Sequence, residues 1–356
     1  MIFFVSTSLS TFARKDIAIL EGIDEVRYFN FNPSVKHNTP FVLVAQGLDI
    51  LWNIRRIRLF VCMFAAYHSI IPALFSRIFG IPLIVLVGGV DAVAYPSFGY
   101  GYFQNRLIRP FVEWTFRWAS VISAKDESLW WFEDEYYGKD FPFQGIDYFM
   151  PGLKAVKNVM YNGYDGKKWD YSGPKERKSF ITVAKGWQYE PTLMLKGVDL
   201  IIAVAPLFQD CSFEIVGVDR EGVFATLPEN VKITDFVENQ YLAEHIGSAE
   251  FYLQLSISEG FPNALCEAML CRCIPIVSDV AAMPKIVGES GFLLKKRDVG
   301  LLEIVIKKAL SLADSERDQL GEQARARIVQ NFPIERRAKE LKELVLKTCP
   351  AYRQTQ

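Results

Sequence analysis

The stretch Phe251-Tyr252-Leu253-Gln254-Leu255 followed by Ser256-Ile257-Ser258-Glu259-Gly260-Phe261-Pro262-Asn263-Ala264-Leu265-Cys266-Glu267-Ala268-Met269 limits the folds open to this chain more than any other. Its order is an apolar strand, a glycine-containing loop and a helix. Gly260 gives the loop backbone freedom, Pro262 suits a first helical position, and Ala264 to Leu270 is good helix-forming material. A helix that starts so abruptly turns its first N–H groups and the positive end of its dipole toward the loop, which makes an anion site. Glu259 stands in the loop and Glu267 about one turn into the helix, so the two carboxylates flank that site. Ionised carboxylates accept hydrogen bonds from hydroxyls. A ligand with a diphosphate at its middle and hydroxyl-rich groups at both ends, such as a nucleotide sugar, satisfies all three features.

Glu259 and Glu267, with seven residues between them inside Glu-Gly-Phe-Pro-Asn-Ala-Leu-Cys-Glu-Ala-Met, resemble the E-x7-E donor motif of retaining glycosyltransferases of family 4. Cys273-Ile274-Pro275-Ile276-Val277-Ser278-Asp279 resembles the strand that follows it in those enzymes. The resemblance implies an α/β chain of GT-B fold, with two Rossmann-like doubly wound domains facing across a cleft. It implies an acceptor-binding domain over residues 1–153 and a donor-binding domain over 154–333. A terminal helix within 334–356 would cross back to the first domain.

The same resemblance assigns roles. Glu259 would hold hydroxyls of the transferred sugar and Glu267 the ribose, while the N–H groups of Asn263, Ala264 and Leu265, reached through Gly260, Phe261 and Pro262, would face the diphosphate. Lys185, in Lys185-Gly186-Trp187, and Lys196, in Lys196-Gly197-Val198-Asp199, match the basic pair that grips the diphosphate, with lysine where most members have arginine at the first position. Asp235 and Phe236 match the segment that contacts the nucleotide base. On the acceptor side, Ser8 lies in the loop after the first strand, where family members often carry glycines. Gly88-Gly89-Val90-Asp91 places Gly88 where many members have His, and looks like a subgroup with a Gly-Gly-x-Asp variant. Paired glycines at a strand end let a ligand approach the backbone, and Asp91 is then an acceptor at the cleft. His68 has two readings, a hydrogen bond to a sugar or acceptor hydroxyl and a structural histidine at a helix start.

The layout fits. Apolar strands read at Met1 to Val5, Glu25 to Phe31, Leu59 to Phe64, Pro82 to Val87, Ala119 to Ala124 and Val156 to Tyr161. The second half repeats them at Ser179 to Ala184, Phe213 to Val218, Val231 to Phe236, Glu250 to Leu255, Ile274 to Ser278 and Gly291 to Leu294. Helices alternate with them, among them Phe12 to Glu21, Phe41 to Arg56, Gln104 to Trp118 and an amphipathic Ile334 to Lys347. The junction falls near Pro151-Gly152, just before Val156 to Tyr161 and its Asn162-Gly163-Tyr164-Asp165 turn. At 356 residues, two domains are expected anyway.

Several classes drop out. A net charge of −1 gives no general attraction to nucleic acid. Six cysteines in apolar segments, without Cys-x-x-Cys spacing, fit buried thiols in a reducing cytoplasm. Met1 to Val5 lacks the basic start of a signal peptide. Leu59 to Ser76 is uncharged, yet His68 and Pro72 make it a strand and a helix. Glu133-Asp134-Glu135 lacks an Asp-x-Asp spacing and reads as a solvated face, as does Arg14-Lys15-Asp16, so no metal and no cofactor beyond the donor is expected. Arg55, Arg56 and Arg58 beside Trp52 read either as a peripheral contact with anionic lipid or as charges complementing a helix end.

The expected function is therefore metal-independent transfer, with retention, of a sugar from a nucleoside diphosphate sugar to a glycan or lipid-linked glycan, in surface polysaccharide or glycoconjugate synthesis. A catalytically silent scaffold subunit of the same fold is the alternative.

Overall fold

The computed structural model describes residues 1–32, 38–184, 190–218, 226–238 and 241–352. The chain divides into two compact units. The first comprises Met1–Glu133, Phe143–Gly163 and Glu335–Gln356, and the second Asp134–Pro142 and Tyr164–Ile334.

The first unit holds β1 (Ile2–Ser6), β2 (Val26–Asn30), β3 (Leu59–Met63), β4 (Leu83–Leu86), β5 (Val121–Ala124), the short pair β6 (Phe132–Glu133) and β7 (Phe143–Gln144), and β8 (Val156–Val159). Six of these make a parallel sheet in the order β2-β1-β3-β4-β5-β8. Its helices are α1 (Thr11–Glu21), α2 (Thr39–Asn53), α3 (Ile70–Phe79), α4 (Arg109–Trp118) and the single turn α5 (Ile146–Phe149). Strands β1, β3, β4 and β5 are buried along their whole length, which is why they read as unbroken apolar runs.

Three boundaries differ from the sequence reading. β8 pairs with β5, so residues 154–163 complete the first sheet and do not open the second unit. An apolar strand at a junction carries no mark of which sheet it will join. α4 starts at Arg109 because residues 104–108 form turns in which the Asn105 side chain accepts from the N–H groups of Leu107 and Ile108. α2 ends at Asn53, ahead of the arginines.

The second unit holds β9 (Glu176–Val183), β10 (Ser212–Val216), β11 (Val231–Thr234), β12 (Ala249–Gln254), β13 (Ile274–Ser278) and β14 (Phe292–Leu294). They are parallel and ordered β11-β10-β9-β12-β13-β14. Helices α6 (Glu190–Leu195), α7 (Val198–Val204), α8 (Leu242–Gly247), α9 (Asn263–Leu270), α10 (Met283–Val287), α11 (Val299–Leu310) and α12 (Asp314–Asn331) connect or cover them. Phe180 of β9 is stacked between Phe213 of β10 at 4.8 Å and Phe251 of β12 at 4.7 Å, so a ladder of rings fixes the register of the central strands. Strand order reverses between β9 and β12, and ligands of doubly wound sheets bind at the carboxyl ends of strands at such a point. The Glu259 loop leaves β12 there.

The last helix, α13 (Ile334–Thr348), packs into the core of the first unit, where Leu341, Leu344 and Val345 join Ile2, Phe4, Val61 and Ile84. Arg337 of α13 makes two 2.7 Å bonds to Asp16 and also donates to the carbonyls of Met160 and Tyr161. Asp16 is fully buried, so it is half of an internal ion pair and not part of a solvated face.

Candidate active site

The second unit carries the best-defined constellation. Tyr252, Gln254 and Ser256 are spaced two apart, so β12 points all three the same way, and they form a relay. The Tyr252 hydroxyl donates to Gln254 Oε1 at 3.1 Å, and Gln254 Nε2 donates to Ser256 Oγ at 2.8 Å. Glu259 Oε1 receives Gln254 Nε2 at 3.0 Å, Ser256 Oγ at 2.9 Å and Lys196 Nζ at 2.5 Å. One carboxylate oxygen is thus locked by three donors. The other, Oε2, has no donor among the described residues, on a side chain that is 13% exposed. Ser278 of β13 donates to the Ser256 carbonyl at 2.6 Å and anchors the loop from the neighbouring strand.

Lys196 is held as firmly. Gly197 after it has φ +74°, and a Cβ there would lie 2.3 Å from the Leu255 carbonyl oxygen, so the turn presses against the end of β12. Ile257 N–H donates to the Leu195 carbonyl at 2.8 Å and closes the same contact. Lys185, the other predicted cation, lies outside the described residues.

Helix α9 begins at Asn263, one residue later than the sequence reading, because Pro262 is the N-cap with extended backbone. A proline there has no side-chain acceptor, and α9 has no side-chain cap, so its first-turn N–H groups keep their capacity for an anion. Gly260 and Phe261 are buried in the loop before it, and Leu265 is buried in the helix. Tyr164 donates to Asn263 Oδ1 at 2.8 Å, and Phe261 packs edge-on against Phe332 at 5.2 Å, which fixes the entry to α9. Ala264 and Glu267 are half-buried. Burial pushes the Tyr252 phenol well up, and the charges of Glu259 and Glu267 add to the effect, so both carboxylates stand near that hydroxyl. Asp235 and Phe236 follow β11 and are exposed, Phe236 by 56%.

Sequence reasoning missed four contributors here. The alternation of Tyr252, Gln254 and Ser256 within an otherwise apolar strand was the available signal for the relay. Tyr164 sat in a segment read only as a turn. Tyr136 comes from the Asp134–Pro142 segment, is buried, donates to the Leu255 carbonyl at 3.3 Å and accepts from Arg297 N–H through its own carbonyl at 3.2 Å. Asp134 is likewise buried and receives the Tyr137 N–H, so only Glu133 and Glu135 of that acidic run are solvated.

In the first unit the predicted residues divide differently. Asp91 is fully buried. Its Oδ1 accepts the N–H groups of Gly88 at 3.0 Å and Gly89 at 3.1 Å, and Oδ2 accepts Ala65 N–H at 2.9 Å. Burial raises its pKa while those bonds pull the other way. The carboxylate ties the β4 loop to the β3 loop and, contrary to an open place at a cleft, is wholly enclosed. His68 is also buried, with Nε2 2.9 Å from the Met63 carbonyl and Nδ1 without a hydrogen-bond partner among the described residues, and burial pushes its pKa down to about 4, which favours the neutral ring. Gly88 leaves room for its neighbour: a Cβ there would lie 1.6 Å from the Phe64 ring, whose residue itself has φ +65°. A larger residue at 88 would have to displace that ring. Ser8 is exposed in the loop after β1 and accepts from Ser6 Oγ at 2.9 Å through its carbonyl. Lys125, at the carboxyl end of β5, was not singled out. It is buried with its ammonium 4.3 Å from the Phe12 ring centre, and burial pushes its pKa down to about 8.

A hollow of about 460 Å³ lies by Glu250 at the amino-terminal ends of β9 and β12, far along the sheet from Glu259. Its charges satisfy one another, with Glu250 bonded by Arg177 at 2.7 Å and Arg317 at 2.9 Å, so it is an internal ion network.

With these geometries in hand the chain can be set beside known proteins. HepE from Anabaena, solved in complex with UDP and glucose, superposes with a TM-score of 0.69 at 16% identity, over 97% of this chain and 99% of that one. Sucrose-phosphate synthase from Thermosynechococcus elongatus gives 0.74 at 14% identity, over 98% and 99%. The fold is GT-B. A glycosyltransferase from Rickettsia africae gives 0.68 at 12% identity, over 98% of each chain. Residues 188–311 match the family described as Glycosyl transferases group 1, so the second unit of this GT-B chain carries a group 1 glycosyltransferase domain, which supports a transferase. No curated protein sequence matches the chain.

Proposed function

We propose that this chain is a retaining glycosyltransferase of the family 4 type, moving a sugar from a nucleoside diphosphate sugar to a glycan or lipid-linked glycan without a metal ion. It would act in the cytoplasm, at or near the membrane, in surface polysaccharide or glycoconjugate synthesis. The observation that carries the reading is Glu259, one oxygen locked by Lys196, Gln254 and Ser256 and the other open, next to the uncapped start of α9.

In this reading Glu259 Oε2 receives hydroxyls of the transferred sugar, and Glu267 receives those of the ribose. The costly charge in the reaction is on the departing diphosphate. The N–H groups of Asn263, Ala264 and Leu265, with Lys196 and Lys185, would stabilise it, each preorganised donor contributing roughly 2 to 4 kcal/mol in the transition state. Lys196 is already fixed by its bond to Glu259, so little ordering is spent when phosphate arrives. Asp235 and the exposed Phe236 ring would receive the base. Ser8 would serve the acceptor, while Gly88 and Gly89, whose N–H groups bond Asp91, would serve the fold together with Asp91 and His68.

The test is a thermal-shift screen of nucleoside diphosphates and their sugars, followed by turnover of a mass-tagged donor. A bound ligand raises apparent stability with the logarithm of its concentration over Kd. Stabilisation by a nucleoside diphosphate, with donor consumption that Glu259→Gln slows about a hundredfold, supports the transferase. Gly88 in place of the family's histidine favours the second reading, a silent scaffold, and tight nucleotide binding without turnover on any acceptor would establish it.

A further inference from the structure

Helix α2 is amphipathic the wrong way round for a soluble surface. Its inward residues include the buried Gln46, Ile50 and Asn53, and Gln46 Nε2 donates to the His68 carbonyl at 3.0 Å. Its outward residues are Phe41, Val44, Leu48, Leu51 and Trp52, exposed by 50 to 90%. The spacing 41, 44, 48, 52 is one continuous stripe on a helix. A helix covering a sheet normally shows its polar side to water, so this stripe needs an occupant.

The neighbouring helices extend the stripe into a face. The crossovers that carry α2, α3 and α4 all run in the same direction across the first sheet, which puts these helices on one side of it. α2 touches α3, and α3 packs along α4. On α3, Leu74, Ile78 and Phe79 are exposed; on α4, Trp114 is exposed; and in the turn before α4, Leu107 is 82% exposed.

Charge decides what can cover it. Residues 38–118, which contain all three helices, hold seven arginines and no lysine against three carboxylates, Asp49, Asp91 and Glu113, in a chain whose net charge is −1. Asp91 is internal and Asp49 is paired with Arg27, while Glu25 bonds Arg56 and Glu113 bonds both Arg109 and Arg117, so the surplus positive charge lies on the remaining arginines. Arg55, Arg77 and Arg106 are exposed with no acidic partner among the described residues. Between α4 and residues 149–154 lies a hollow of about 530 Å³ lined by Arg109, Arg117 and Lys154, with Glu113 its one carboxylate; Glu113 bonds both arginines, and the lining keeps a net positive charge. A second copy of this face would meet it with like charge, and among the described residues no helix is long and apolar enough to cross a membrane. Aromatic and aliphatic side chains ringed by arginine match the boundary between acyl chains and anionic headgroups.

We propose that the face formed by α2, α3 and α4 is a docking surface for an anionic lipid bilayer. Phe41, Leu48, Trp52 and Phe79 enter the headgroup–acyl boundary, Arg55, Arg77 and Arg106 pair with headgroup phosphates, and the hollow beside α4 takes one such phosphate. The docking stands without the donor site. That the acceptor is carried on that lipid rests on the reading of the chain as a glycosyltransferase.

The experiment is co-sedimentation of the full chain with large vesicles of phosphatidylglycerol and phosphatidylcholine in equal parts, and with vesicles of phosphatidylcholine alone. The expected result is binding to the anionic vesicles, weakened by added salt, and about tenfold weaker for Leu48→Glu/Trp52→Glu and for Arg55→Glu/Arg77→Glu. Both pairs are exposed, and unchanged melting temperatures would show that the variants fold. Equal binding by the wild type and both variants, or equal binding to neutral vesicles, would overturn the proposal. So would a wild-type dimer that Leu48→Glu/Trp52→Glu converts to monomer, since a second copy would then be the occupant. Stabilisation by UDP, measured without vesicles, reports on the donor site separately, and the variants leave it unchanged.

Discussion

Each unit has an acidic residue in the loop after its fourth consecutive strand, and the two have opposite fates. Asp91, after β4, is fully buried and spends both oxygens on the N–H groups of Gly88, Gly89 and Ala65. Glu259, after β12, has one oxygen locked by side chains and the other open beside an uncapped helix. A carboxylate that receives only backbone donors from two loops is a fastener. One that is aimed by side chains and leaves an oxygen over is built to meet something else.

Removing each carboxylate should separate the two roles. Asp91→Ala leaves three N–H groups without an acceptor, two of them buried, and it should lower the unfolding free energy in urea by about 4 kcal/mol while keeping stabilisation by nucleoside diphosphate. A variant as stable as the parent but inactive would erase the distinction. Glu259→Gln should do the reverse, slowing turnover about a hundredfold, near 2.7 kcal/mol of barrier, with little change in melting temperature.

His68 sharpens the contrast by pH. Its pKa is pushed down to about 4 by burial, below the ordinary 6.5 of the unfolded chain. Above pH 6.5 neither state holds the proton and stability is level with respect to this group. As pH falls below that, the unfolded chain takes up a proton that the native state refuses, so stability drops until the native pKa is reached. By about pH 5 the loss should be roughly 2 kcal/mol. His68→Gln should flatten that slope in urea titrations; an unchanged slope would mean that His68 reaches solvent. The smallest effect concerns Tyr164→Phe, which removes one hydrogen bond to Asn263 and should cost about 1 kcal/mol, seen as a several-fold rise in KM for the donor. No change in KM would remove Tyr164 from the support of α9.

The sheets were legible because buried parallel strands appear as uninterrupted apolar runs, and strand, loop and helix at β12 and α9 follow from Gly260 and Pro262 alone. What escaped depended on partners far along the chain. Whether Asp91 faces a ligand or a backbone turns on Ala65 N–H in another loop and on Phe64 crowding Gly88, neither visible from Gly-Gly-x-Asp. Asp16 looked solvated because Arg337, its partner, comes more than three hundred residues later. Tyr136 reaches Leu255 from a segment that sequence order assigns to the other unit. The relay of Tyr252, Gln254 and Ser256 was readable in principle, since strand alternation aligns them.

α13 gives the first unit a timing problem during synthesis. Leu341 and Val345 are wholly enclosed beside Ile2 and Phe4, and Arg337 neutralises Asp16, yet these residues leave the ribosome only after the entire second unit. Until then the nascent chain carries an unfilled groove and an internal carboxylate without its cation. The half of the molecule that is made first is therefore finished last, and ribosome-bound chains stopped ahead of α13 are expected to bind chaperones through the earlier half.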